Sequence, residues 1–216
     1  MSRDDMSQND LHSLKDDIDY LRQISEEGRH APPMFGPVLV AAALIFGTAS
    51  AGQWALAAGL IALSPWAALW LWIGAGGVFA VALTLILRRM RHQSGYNSLR
   101  NTAVGSAWSA IGFLIFAVWL SLVAMGFSSG DWSAMRVMPS LVFAAYGAAW
   151  TIAATMNARP WMNAVALICF GGAVALGLTS GMSEGYLVFA LLLALGALLP
   201  GLVLMRQQHR AQAKAA

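Results

Sequence analysis

The sequence predicts an all-α fold: a polytopic membrane helix bundle with six transmembrane helices and an N-terminal cytoplasmic amphipathic helix. Three observations carry that reading. The 216 residues are 58% hydrophobic and only 11% charged, with a mean hydropathy of +0.62, whereas soluble domains are charged at about a quarter of their positions. The apolar residues come in runs of about twenty, the length a helix needs to cross about 30 Å of hydrocarbon. The charges are gathered between those runs, and no Asp, Glu, Lys, Arg or His lies inside one. A soluble enzyme, a nucleic-acid-binding module, a disulfide scaffold and a disordered regulator are thereby excluded.

Residues 1–33 form an acidic cytoplasmic segment, with eight acidic against four basic residues. Such a start argues against a signal or transit peptide. Asn9 or Asp10 caps an expected helix over about 10–27, which Gly28 and Pro32-Pro33 stop. Leu11, Leu14, Ile18 and Leu21 recur at spacings of three and four and make a narrow apolar seam. The other faces are mostly acidic, so bare anionic lipid would repel this helix. Two uses of the seam remain open. It packs on the cytoplasmic ends of the bundle with its acids near the arginine loop, or it zips with a second copy or docks a protein partner.

The transmembrane bundle, residues 34–206, reads as spans at about 36–60, 66–87, 103–126, 138–156, 161–180 and 185–205. Pro37, Pro65, Pro139 and Pro160 stand at the starts of four of them, where a helix has no use for the missing N–H. Solid apolar runs, rather than short alternating ones, point to helices and not to a barrel. Residues 207–216 read as a basic cytoplasmic tail. With both termini inside, twelve of the thirteen Lys and Arg residues fall on the cytoplasmic side and only Arg136 outside. That distribution follows the positive-inside rule and explains the pI near 9.4 without nucleic acid.

The spans offer little chemistry. Ion-coupled transport ordinarily needs ionisable groups at mid-depth, and none is present there. Ser50, Ser106, Ser109 and Ser121 have no membrane base to activate them. Cys169, the single cysteine, has no basic neighbour at helical spacing and reads as a packing residue. No Cys or His pair has metal-ligand spacing, and no motif implies a cofactor.

Three features remain as candidate sites. Arg88, Arg89, Arg91 and Arg100 form the densest cationic patch, read as a topology determinant against lipid headgroups or as a docking surface for anionic lipid or an acidic partner. Trp66, Trp70 and Trp119 belong either to an aromatic belt or to an outer aromatic pocket. Ala43, Gly47, Ala51, Ala55 and Gly59 recur every fourth residue, a row suited to close helix packing. Pro200 predicts a kink or a loosened inner end of the last span.

The strings Asp19-Tyr20-Leu21-Arg22 and Glu26-Glu27-Gly28-Arg29, with Pro32 leading into the first span, resemble the N-terminal signature of small six-helix bacterial inner-membrane proteins of uncharacterised function. Leu199-Pro200-Gly201 before Met205-Arg206 is similar to their ending. That resemblance implies a bacterial inner-membrane address and no catalytic residues. The expected role is a non-enzymatic accessory or scaffold subunit presenting an acidic helix to the cytoplasm. The alternative is a channel or facilitator for a small neutral or apolar solute or lipid.

Overall fold

The computed structural model describes residues 34–64, 66–93, 96 and 98–215. The acidic segment, with its expected helix over 10–27 and the seam Leu11, Leu14, Ile18 and Leu21, lies outside the described residues. All regular structure among the described residues is helical. Six helices are long and apolar enough to cross a membrane.

Helix α1 spans Gly36–Ala57, with Pro37 in its first turn. Gly59 ends it in the left-handed region at φ 72°, and the Leu60 N–H closes the turn onto Ala55 O at 3.0 Å. Helix α2 spans Ala67–Met90. Helix α3 spans Leu99–Ser129 and is longer at both ends than its apolar run. The Ser98 hydroxyl accepts the Asn101 N–H at 3.3 Å, which starts the helix early and places Arg100 in its first turn rather than in a loop. Gly130, at φ 74°, stops it. At 1.5 Å per residue α3 is about 46 Å long and exceeds the hydrocarbon thickness.

A 3₁₀ turn at Ser133–Val137 leads into α4, Met138–Asn157. Ala158 breaks the chain at φ 51°, a left-handed conformation that costs a non-glycine residue about 1 kcal/mol. Arg159 is extended, as the residue before Pro160 must be. Helix α5 then runs Pro160–Leu178.

The last span is α6, Gly185–Leu193, a π-turn at Ala194–Leu198, and α7, Leu199–Ala215. Pro200 explains the interruption. In an unbroken α-helix the N–H of residue 200 would donate to Gly196 O, but proline has no N–H and its ring crowds that carbonyl. The π-turn relieves the crowding. Trp150 Nε1 donates to the freed Gly196 O at 2.8 Å, so the carbonyl is not left orphaned inside the bundle. Helix α7 runs on through residues 207–215.

Packing divides the helices. α4 and α5 share the most extensive contact, and α1 packs against α6, the π-turn and α7. Their core holds Phe143, Trp150, Met162, Cys169, Leu193 and Leu204, all fully buried. Small residues set the closest approaches: a Cβ on Gly201 would stand 3.0 Å from Gly36 O and 2.9 Å from Val40 Cγ2. Ser50 Oγ donates to Tyr186 O at 2.7 Å, joining α1 to α6, and Ser140 Oγ donates to Ala173 O at 2.9 Å between α4 and α5. By contrast, only 6% of the most apolar stretch of α2 and 17% of that of α3 are buried, against 44% for the segment containing α4. α2 packs on α1 and α3 on α4, with little contact between the two.

The fourfold row in α1 does not act as one packing face. Ala43 is buried, Ala51 is exposed, and Gly47 and Gly59 have open space around them. A strict spacing of four drifts about 40° per step around a helix of 3.6 residues per turn.

Candidate functional site

The end of the bundle where the chain leaves residues 1–33 also gathers the arginines. Met34 and Phe35 are buried there. A Cβ on Gly36 would stand 2.9 Å from Gly201 O and 3.1 Å from Leu204 Cβ and Met205 Cγ, so the chain enters the bundle against α7, beside Arg206. Arg88 and Arg89 occupy the last turn of α2 and Arg91 follows it. Gln208 Nε2 donates to Gln93 Oε1 at 2.7 Å and ties this connection to α7. Arg159 donates to Gln207 Oε1, which fastens the α4–α5 connection to the same helix.

The entry to α1 and two connections thus meet around α7, and they bring Arg159 to the patch read from the sequence. Arg159 and Arg100 are half-buried. Burial, and then the positive charge of Arg100, hold the Arg159 guanidinium pKa below the usual arginine value. Asp131 and Glu184, the carboxylates among the described residues, belong to the connections at the opposite end. No described carboxylate therefore faces these arginines, and a half-buried charge with no counterion is costly. Close by, Asn157 Nδ2 donates to Ala153 O at 2.8 Å while its Oδ1 is buried without a partner.

The structure distributes the three candidate tryptophans. Trp66 stacks on Phe127 at 5.9 Å and meets Trp132 edge-on at 6.3 Å, which joins the opposite ends of α2 and α3. Trp119 stacks on Phe116, one turn away in α3, at 6.2 Å. Trp70 is 67% exposed and lines an open groove of about 530 Å³ between α1 and α2, with Ile45, Thr48, Leu71, Gly74 and Val78.

A second aromatic group forms near the arginine end. Trp108 stacks on Phe35 at 6.0 Å and meets Tyr146 and Trp150 edge-on at 5.3 and 5.8 Å; Trp161 lies 5.9 Å from Trp150. Their spacing along the chain gives no sign of this, because three different helices and the residue before α1 supply the rings. Gln93, Gln207 and Gln208 were likewise silent in the sequence as polar residues near helix ends.

No family model, curated protein or solved structure matches this chain.

Proposed function

We propose that this chain is a non-enzymatic accessory or scaffold subunit of a bacterial inner membrane, with both termini cytoplasmic, that carries an acidic segment on the cytoplasmic side. The positive-inside balance supports the orientation. The observation that carries the role is the state of α2. Among the described residues, nothing beyond the local backbone of α2 lies within 4 Å of where a Cβ on Gly74, Gly76 or Gly77 would stand. Glycine in a helix interior costs about 1 kcal/mol relative to alanine, and within this bundle that cost is offset by no close packing. Bare backbone in a membrane helix suits a helix from another subunit.

Replacing Gly77 with Leu tests this. The variant should insert and melt no lower than the wild type, yet lose the membrane protein recovered with the wild type in mild detergent by quantitative mass spectrometry. Recovery of an unchanged set of proteins with Gly77→Leu would remove α2 as the docking helix.

The groove at Trp70 supports a second reading, a facilitator for a small apolar molecule or lipid, since its lining is almost wholly apolar and opens sideways. Vesicles containing the protein should then pass such a solute faster than empty ones, and Ala75→Leu should block the gain. Equal flux in loaded and empty vesicles across a solute panel eliminates this reading.

A further inference from the structure

Seven arginines at one end of the bundle leave a question of charge balance. Arg88, Arg89, Arg91, Arg100, Arg159, Arg206 and Arg210 all occupy the helix ends and connections around α7. The only side-chain carboxylates of the sequence beyond residue 33 are Asp131 and Glu184, at the other end. The remaining eight carboxylates all lie in residues 1–33, whose net formal charge is −4. That segment is tethered where the cations are, because Gly36 is seated against Gly201, Leu204 and Met205.

We propose that the acidic segment 1–33 docks in cis on this cationic end, with its carboxylates against Arg100, Arg159 and Arg206. The inference does not depend on the accessory role or on which compartment this end faces. Continuity of the chain puts the segment and the arginines on the same side.

Reach and concentration both favour this occupant. Residues 28–33, ahead of the buried Met34 and Phe35, extend at most about 22 Å, enough to lay the end of a helix at 10–27 across the mouth of the bundle. A short tether holds its ligand at an effective concentration on the order of millimolar, which a diffusing acidic protein does not match. On a helix at 10–27, Asp16 and Glu27 fall roughly opposite the seam of Leu11, Leu14, Ile18 and Leu21, with Asp19 and Glu26 toward one flank and Asp17 on the other. Docking through the acids therefore leaves the apolar seam facing away from the bundle. That geometry selects between the two uses of the seam: the bundle takes the acids, and the leucines remain for a partner.

A lipid phosphate is the rival occupant, and zero-length coupling separates the two. Arg159→Lys and Arg206→Lys, in the full chain, each place an amine that carbodiimide joins only to a touching carboxylate. In phosphatidylcholine vesicles both variants should yield intramolecular amides to Asp or Glu of residues 1–33, located by peptide mass spectrometry. Raising salt to about 1 M, where the Debye length is about 3 Å, should lower the yield about fivefold. Including phosphatidylglycerol should leave it within about twofold, because several carboxylates on one tether engage the arginines together whereas each headgroup binds singly. Arg206 is exposed, so Arg206→Lys keeps the test valid if Arg159→Lys does not fold. Absence of coupling, coupling abolished by phosphatidylglycerol, coupling only between isotopically distinct copies, or equal yield from Arg136→Lys at the far end would each overturn the proposal.

Discussion

Helices α4 and α2 make an instructive pair. Both are uncharged over their apolar length and both are long enough to cross a membrane. α4 buries Phe143, Tyr146, Trp150 and Ala153 against its neighbours, whereas Val78, Val81 and Leu85 of α2 are all more than half exposed. In water such a difference would show as polar residues on the exposed side. In lipid the solvent is as apolar as the core, so burial leaves little mark on composition. What separates the two helices is small and polar detail. The packed group has hydroxyls and an indole aimed at neighbouring carbonyls and glycines pressed against backbone; α2 has glycines with nothing beside them.

Breaking that contrast should give its largest effect at the glycines. Gly201→Leu forces a side chain between α7 and α1 and should destabilise the protein by about 3 kcal/mol, read as the unfolding midpoint in mixed detergent micelles. Gly77→Leu should cause no loss and should stabilise by up to about 1 kcal/mol, since leucine is the better helix former and nothing stands beside it. Equal losses at both positions would erase the distinction between packed helices and flank.

Indole substitutions come next. Trp150→Phe removes the donor to Gly196 O and leaves a buried carbonyl orphaned by Pro200, a loss of about 1–3 kcal/mol. Trp119→Phe keeps its stack on Phe116 and should change the same midpoint by less than about 0.5 kcal/mol. A smaller step is expected from Ser50→Ala, which deletes the bond to Tyr186 O; interhelical bonds in membranes average about 0.6 kcal/mol. A change indistinguishable from zero would mean that α1 and α6 are held by packing alone.

The smallest effect lies at the junction of the two groups. Asp131, between α3 and the turn into α4, accepts the Ser133 N–H at 2.8 Å and the Ser133 hydroxyl at 2.7 Å. These bonds hold its pKa below the ordinary 3.8. A carboxyl depressed on folding contributes stability above the unfolded pKa and loses it as pH falls through the folded one. Wild type should therefore soften slightly below about pH 4, and Asp131→Asn should show a flatter melting profile over that range.

Much of the architecture was legible in the sequence. Uncharged runs gave six helices, and Pro37, Pro139 and Pro160 set starts close to those observed, because proline acts through local backbone geometry. α3 outran its apolar stretch since Ser98 and Gly130 define it, not hydropathy. The neighbours of each helix were not legible. Phe143 and Phe113 are the same letter in similar surroundings, yet one is fully buried and the other 74% exposed. At the arginine end the sequence marked Arg88, Arg89, Arg91 and Arg100 by their density. The charge distribution put Arg159 at the same end but not beside Arg100, because that depends on Gln207 reaching across from α7.

A lipid-borne diazirine photolabel, applied to the purified protein in vesicles and mapped residue by residue by mass spectrometry, tests the division between packed helices and flank most directly. Adducts should concentrate on Val78, Val81 and Phe113 and be absent from Phe143, Trp150, Ala153 and Met162. Comparable labelling of those four core residues would contradict the division.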